Sequence, residues 1–209
     1  AAHYGPTPRG PDAPPVHGVE PQPRGERSVT VCKEVQLPGL LIAWRAPASR
    51  EREAKVLNLI EFLLLHGRSS RLYRRLVYQD RLAIGLGGGI LLRTDPSCFM
   101  VRAVARPGVA VERLRDAIFE EVHRLGSEPV GEAERSKALR AVESDFVFSR
   151  ESRFELGQNL GEDECRGSWR DYLRWLDVHR TITAEDVLAT AHKTFDDRRR
   201  TVGYLRPDP

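Results

Sequence analysis

The sequence lacks any long apolar run. Its longest ones, Leu40–Trp44 and Phe62–Leu65, are far shorter than the ~20 residues that a membrane-spanning helix needs. We therefore expect no membrane-embedded helix. The first residues, Ala-Ala-His-Tyr-Gly-Pro, contain no basic region followed by an apolar stretch, so no signal peptide is expected. The compartment stays open between cytoplasm and periplasm.

Cysteine is scarce, and neither sign of charge dominates. The three cysteines, Cys32, Cys98 and Cys165, are widely spaced and form no Cys-x-x-Cys pair. We interpret them as free or buried thiols of a reducing compartment. The formal net charge is only +3, whereas a nucleic-acid-binding domain usually carries a clustered basic excess. A composition of 40% hydrophobic and 30% charged residues is typical of a globular protein.

Motifs for metal and nucleotide binding are missing as well. No histidine is followed by another four residues later, so no helix presents two imidazoles to a zinc ion. The run Gly85–Gly89 looks like a phosphate loop, but Ile90 continues a strand where such loops need a helix. We interpret the run as a strand that another backbone approaches closely. The six histidines are His3, His17, His66, His123, His179 and His192.

Proline marks the first segment of the chain. Half of the fourteen prolines lie within residues 1–27, and proline supplies no backbone donor for a helix or a sheet. We predict an extended interdomain linker over residues 1–27 and a single domain over residues 28–209. A linker at this position suggests a preceding domain. The seven prolines are Pro6, Pro8, Pro11, Pro14, Pro15, Pro21 and Pro23.

The apolar periodicity of residues 28–209 predicts two strands, two helices, two strands, a run of helices and a final strand. The continuously apolar Leu40–Trp44 reads as a strand covered on both faces. Thr183-Ala-Glu-Asp186 resembles a capping box at the start of a helix. Strands joined by hairpins and separate from the helices indicate an α+β two-layer domain. Its sheet is expected to be largely antiparallel, with the helices packed on one face.

Arginines concentrate in the segment Gly67–Arg75. They allow two interpretations: binding of an anionic group or nucleic acid, or a solvated helix face whose arginines pair with Glu51, Glu53 or Asp80. Tyr73 and Tyr78 offer little aromatic stacking for nucleic acid. Ser69 or Ser70 is expected to cap the helix that follows. The arginines are Arg68, Arg71, Arg74 and Arg75.

The stretch Gly67–Ala83 (GRSSRLYRRLVYQDRLA) resembles the hallmark of the second domain of M16 peptidases, the group of pitrilysin, insulinase and mitochondrial processing peptidase. Tyr4–Pro11 resembles the end of the first domain with its linker. Ala105–Gly108 and Arg180–Val187 fit the same second domain. The resemblance covers nearly the whole chain and implies a fold of the LuxS/MPP-like metallohydrolase type.

The resemblance implies pairs of similar α+β domains that enclose a chamber. In that family a separate domain carries His-x-x-Glu-His, which binds zinc and supplies the base. The motif is absent here, so neither a catalytic nor a metal-binding residue is assigned, and zinc is expected only in the parent enzyme. An arginine and a tyrosine that assist catalysis in some relatives align with Val77 and Ile84, which cannot donate a hydrogen bond from their side chains.

The resulting hypothesis is a non-catalytic domain that completes the peptide-binding chamber beside a zinc-bearing domain. The expected partners are that preceding domain or a partner M16 subunit, a peptide substrate, and a homo- or heterodimer of the parent, without nucleic acid or membrane. The alternative is a non-enzymatic scaffold or regulatory subunit of an M16-like complex. The residues expected to carry the family motif and to line the chamber are Gly67, Arg68, Ser69, Ser70, Arg71 and Tyr73.

Overall fold

The computed structural model of the chain describes residues 5–11, 21 and 23–208. Much of the predicted linker, including His3, His17, Pro14 and Pro15, lies outside these residues, so a linker over residues 1–27 stays a prediction. The strands are β1 (Arg27–Lys33), β2 (Gly39–Ala46), β3 (Ala83–Ile90), β4 (Ser97–Ala105) and β5 (Arg200–Pro207). The helices are α1 (Arg52–Leu64), α2 (Arg71–Tyr73, continued by a π-helix over Arg74–Gln79), α3 (Val111–Leu125), α4 (Glu132–Phe148), α5 (Arg153–Arg166), α6 (Arg170–Leu173), α7 (Trp175–Arg180) and α8 (Ala184–Thr194).

The five strands form one sheet in the order β1-β5-β2-β4-β3. Strand β1 pairs with β5 in parallel, and the three other pairings are antiparallel. The predicted sequence of elements and the largely antiparallel sheet are thus confirmed. Among the described strands, only β3 and β4 are both consecutive in the chain and adjacent in the sheet, and they form a hairpin. The C-terminal strand β5 lies between β1 and β2, so these two strands form no hairpin.

The helices cover one face of the sheet, and the core lies between the two layers. Trp44 of β2 is fully buried there. Its ring meets Phe195 edge to face at a centroid distance of 5.1 Å and Phe119 at 6.3 Å, which are favourable arrangements for aromatic pairs. Helix α3 presents an apolar stripe to this core, with Leu114, Ile118 and other stripe residues fully buried.

No helix of the described part of the chain lies on the opposite face of the sheet. Leu40, Ile42 and Trp44 of β2 are buried, but Leu41 between them is 44% exposed. The prediction that this strand is covered on both faces is therefore wrong. A continuously apolar run cannot distinguish a strand covered on both faces from one whose second face is apolar and open, since both have the same sequence pattern.

The predicted capping box at the start of α8 is confirmed. The Asp186 amide donates to Thr183 Oγ1 at 3.1 Å, and the Thr183 amide donates to the Asp186 carboxylate at 3.0 Å. Arg52 donates to the same carboxylate at 2.9 Å and so joins the start of α8 to α1. None of the helices in the described part of the chain is long and apolar enough to span a membrane.

Candidate functional site

The motif segment Gly67–Tyr73 forms the turn after α1 and the short helix α2. Gly67 has a φ of 74°, a left-handed conformation that glycine adopts without strain. The Ser70 amide donates to the Gly67 carbonyl at 3.2 Å, and the Ser70 hydroxyl donates to the same oxygen at 2.8 Å. Ser70 occupies the N-cap position of α2, but its side chain caps no amide there. The predicted side-chain cap is therefore wrong, because the hydroxyl closes the preceding turn instead.

Arg71 joins this segment to α4. Its guanidinium donates two parallel hydrogen bonds to the Glu134 carboxylate, both at 2.7 Å, and Glu121 of α3 lies 3.8 Å away. The hydrogen bond to Glu134 raises the pKa of Arg71, and the same bond lowers the pKa of Glu134. This bidentate geometry is the strongest form of arginine–carboxylate pairing. Arg71 thus holds α2, α3 and α4 together.

Arg75, one turn further on, converges on the same buried carboxylate. It lies 3.6 Å from Glu121 and 3.2 Å from Asp80, and it also pairs with Glu120. The pairing with Asp80 was predicted; Glu51 and Glu53 have other partners, the Ala48 amide and Lys193. Two of the four clustered arginines are therefore neutralised within the fold and are not free to bind an anion.

The other motif residues lie at the surface or within the helical layer. Arg68 and Ser69 are exposed, and Tyr73 packs edge to face against Tyr78 with a centroid distance of 5.5 Å. Of the two positions aligned with the catalytic arginine and tyrosine of some relatives, Val77 packs against the core in the π-helix. The other, Ile84, is 50% exposed at the start of β3.

An open apolar surface on the sheet is a feature that the sequence analysis did not predict. We define the open sheet face as the exposed side chains of the strands opposite the helices, and it bounds a shallow cavity of about 660 Å³. Soluble monomers rarely expose contiguous apolar patches of this kind without a function. Its apolar residues include Val29, Val31, Leu41, Val104 and Leu205.

Glycines keep part of this face flat. A β-carbon on Gly87 would lie 3.4 Å from Arg102 Nε, so the Arg102 side chain runs across β3 where a larger residue would stand. Gly88 has a φ of 140°, and a β-carbon there would lie 2.0 Å from the Met100 carbonyl oxygen. The interpretation of Gly85–Gly89 as a strand that another backbone approaches closely is confirmed.

A buried polar chain runs through the helical layer behind β3. The Glu61 carboxylate accepts a hydrogen bond from the Ile90 amide at 3.2 Å and another from Asn58. The Asn58 amide oxygen lies 3.1 Å from His179 Nε2, and His179 Nδ1 lies 2.8 Å from the Trp175 carbonyl oxygen. Burial raises the pKa of Glu61 to about 7 and lowers the pKa of His179 to about 4.

Asn58 joins the two ionisable groups of this chain, since its side chain contacts both Glu61 and His179. Burial is the largest cause of both pKa shifts, and in each case it favours the neutral form of the group. It raises the pKa of the Glu61 carboxyl and lowers the pKa of the His179 ring. The helical layer therefore favours a neutral acid and a neutral imidazole on either side of Asn58.

No zinc site can be assembled from the described part of the chain. No three His, Cys, Asp or Glu side chains approach closely enough there to hold a metal ion. His66 stacks on Phe62, His123 contacts Asp197 at 2.9 Å, and His179 belongs to the polar chain. The described donors therefore do not fit zinc, which requires three or four converging ligands.

Comparison with known proteins places this geometry in a family. Over 194 residues, the chain is 27% identical to the zinc protease PqqE of Helicobacter pylori. The aligned segment covers 90% of this chain and 43% of that protein. The structure superposes on a protease from Helicobacter pylori with a TM-score of 0.88 at 23% identity, over 94% of this chain and 48% of that one.

An inactive peptidase domain from Bordetella parapertussis matches with a TM-score of 0.75 at 22% identity, over 85% of this chain and 95% of that one. The chain therefore spans less than half the length of the curated relative but nearly all of a separate inactive domain. The family model of the peptidase M16 inactive domain matches residues 2–142. This chain belongs to the M16 peptidase family and represents its inactive domain.

Proposed function

We propose that this chain is the non-catalytic domain of an M16 zinc metalloendopeptidase and completes the peptide-binding chamber beside a zinc-bearing domain. The open sheet face is the observation that carries the proposal. Leu41 and Val104 stand in the middle of the sheet and are 44% and 39% exposed. A large apolar side chain on a central strand is normally buried, so a second surface or a bound peptide is needed opposite it.

In this proposal, the role of this chain is to bind the peptide substrate and to help enclose it in the chamber. Zinc, held by the His-x-x-Glu-His domain, would activate the water that attacks the peptide carbonyl. The described residues of this chain hold no zinc ligand set, and Val77 and Ile84 cannot donate side-chain hydrogen bonds to a substrate. We therefore assign to this chain an apolar wall that excludes water and contacts side chains of an extended peptide.

The motif residues have a different task in this proposal. Gly67, Ser69 and Ser70 border a small cavity against α4, in the helical layer, whereas the proposed wall is formed by strands. A chamber-lining role for the motif stays a prediction. Its contacts support a structural role, in which the Gly67 turn and the Arg71–Glu134 pair fix α2 against α4.

The alternative function is a non-enzymatic scaffold or regulatory subunit of an M16-like complex. It requires the same open sheet face, covered by a subunit without zinc. The companion domain decides between the two, since only a companion with His-x-x-Glu-His can supply the metal and the base. A homodimer or heterodimer of the parent protein is compatible with either function.

The test is zinc-dependent hydrolysis of a quenched peptide library by this chain together with the companion domain of its parent protein or an encoded M16 partner. We expect activity, sensitive to a chelator, only when both are present. Leu41→Asp should reduce this activity at least about tenfold, because burying a charge on the apolar wall is costly. Val147→Asp is the control, since Val147 is 55% exposed on α4 in the other layer.

Three outcomes count against the chamber function. Chelator-sensitive activity of the purified chain alone would show that it contains a metal site of its own. Equal activity of the companion domain with and without this chain would support the scaffold alternative. Equal losses of activity for Leu41→Asp and Val147→Asp would show that the open sheet face has no special role in this activity.

A further inference from the structure

A second cavity, of about 240 Å³, opens in the helical layer, on the side of the sheet away from the open sheet face. Helices α1, α4, α5, α6 and α7 surround it. Residues of the motif segment Gly67–Tyr73 do not border it, and neither do residues of the open sheet face. The site is therefore separate from the proposed chamber wall.

Carboxylates outnumber cations in the lining of this cavity. Asp145, Glu162 and Asp163 line it together with one arginine, Arg166. Arg166 serves two of the three carboxylates: it lies 3.1 Å from Asp163 and also pairs with Glu162. Asp145 forms no ion pair or side-chain hydrogen bond with any residue that the structure describes. Asp145 is exposed, so the lining presents an accessible carboxylate with which no described cation pairs.

A buried hydroxyl in the same cavity lining also lacks a hydrogen-bond partner among the described residues. Tyr172 lines the cavity and is only 5% exposed, yet its hydroxyl has no hydrogen-bond partner among the described residues. Buried hydroxyl groups are nearly always paired, because an unmade hydrogen bond there costs stability. An orphaned hydroxyl on a cavity wall therefore points to a ligand that pairs with it.

The aromatic side chains of this wall already contact cations of the chain itself. The Tyr172 ring packs against Phe146 at a centroid distance of 4.9 Å. The Arg150 guanidinium lies 5.0 Å from the Phe146 ring, and the Lys55 ammonium lies 5.0 Å from the ring of Trp175, which also lines the cavity. Aromatic faces attract cations through the ring quadrupole.

We infer that this cavity binds a primary alkylammonium group. The ammonium pairs with the Asp145 carboxylate and donates a hydrogen bond to the Tyr172 hydroxyl, and the alkyl chain lies along the aromatic wall. A volume of about 240 Å³ suits a chain of a few methylene groups. This chemistry is offered by a lysine side chain of a peptide and by a free aliphatic diamine.

The experiment titrates the 209-residue chain with cadaverine, with Nα-acetyl-lysine amide and with 1-pentanol at matched ionic strength. Binding is followed by the NMR shift of the Trp175 indole N–H. We expect saturable binding of the ammonium compounds and none of the uncharged alcohol. Asp145→Asn should weaken cadaverine binding about tenfold, the usual effect of losing one charge-assisted hydrogen bond.

Two further variants separate binding from folding. Tyr172→Phe should also weaken cadaverine binding, yet raise the melting temperature, because it removes a buried hydroxyl without a partner. Asp177→Asn makes the same charge change as Asp145→Asn at an exposed position of α7 outside the cavity, so it should leave binding unchanged.

A comparison of the two charged compounds identifies the source of the ammonium group. Binding of Nα-acetyl-lysine amide as well as cadaverine identifies a peptide lysine as a ligand, whereas binding of cadaverine alone identifies a free diamine. No saturation by either compound would overturn the inference. Equal binding of 1-pentanol, or equal weakening by Asp145→Asn and Asp177→Asn, would overturn it as well.

Discussion

Glu61 of α1 occupies the space that a side chain at Gly89 of β3 would need. Gly89 has a φ of 136°, and a β-carbon built on it would lie 2.3 Å from the Glu61 carboxylate. The adjacent Ile90 amide donates to that carboxylate at 3.2 Å. The buried carboxyl group of α1 is thereby fixed against the edge strand β3. Substitutions at Gly89 and at Glu61 can each test this arrangement.

Gly89→Ala should destabilise the domain by at least about 2 kcal/mol, because the new methyl group collides with Glu61 and the positive φ strains the backbone. Urea unfolding followed by circular dichroism measures the change. Gly85→Ala on the same strand is the control, since a β-carbon at Gly85 meets nothing within 4 Å. Equal losses for the two variants would show that strand propensity alone, and not the contact with Glu61, sets the cost.

The effect of Glu61→Gln on the free energy of unfolding should be more favourable at pH 8 than at pH 4. Burial raises the pKa of Glu61 from 4.5 to about 7, so the folded state holds this proton more tightly than the unfolded state. The resulting stability is complete below pH 4.5 and is lost as the pH rises through 7. Glutamine has no proton to lose, and the gain at pH 8 is on the order of 3 kcal/mol.

Urea unfolding of Glu61→Gln and of the parent chain at the two pH values measures this gain. Glu151→Gln serves as the control, since it removes a carboxylate at an exposed position. A pH-independent difference between Glu61→Gln and the parent chain would contradict the raised pKa.

His179 should impose the opposite pH dependence. Burial lowers its pKa from 6.5 to about 4, so the unfolded state holds this proton more tightly. The stability that the neutral ring contributes is complete above pH 6.5 and is lost as the pH falls towards 4. Between about pH 4.5 and 6.5 the contributions of Glu61 and His179 have opposite slopes and nearly cancel.

Single variants should therefore uncover slopes that the parent chain hides. Over this pH window, unfolding free energy should rise with pH for Glu61→Gln and fall with pH for His179→Gln, whatever the absolute loss in the histidine variant. The quantity to compare is the slope of unfolding free energy against pH, from urea titrations at half-unit steps. Equal slopes for the two variants would show that Glu61 and His179 do not make opposite contributions to the pH dependence of stability.

The sequence predicted those parts of the fold that depend on local pattern. The order of strands and helices and the Thr183–Asp186 capping box were both predicted correctly, because periodicity and capping involve residues a few positions apart. The family motif at Gly67 also identified the domain. The insertion of β5 between β1 and β2 was not foreseen, since it joins residues at opposite ends of the chain.

The candidate sites depended on information that no short segment contains. Leu41 is apolar whether a helix or another surface covers it, so its exposure could not be predicted from the pattern. Asn58 and His179 are 121 positions apart, and only the fold brings them together. Arg71 was singled out, but its partner Glu134 lies in a helix whose placement the sequence alone left open.

The Arg71–Glu134 pair provides the test of what the motif does. Arg71→Lys keeps the charge but cannot form two parallel hydrogen bonds to one carboxylate, so we expect a loss of about 1 to 2 kcal/mol in unfolding free energy. Arg68→Lys, an exposed position in the same motif, should change it by less than about 0.5 kcal/mol. If the motif instead serves substrate binding, Arg71→Lys will leave stability unchanged and lower only the peptidase activity of the assembled enzyme. Unfolding titrations of both variants, beside assays with the companion domain, separate a structural clamp from a chamber residue.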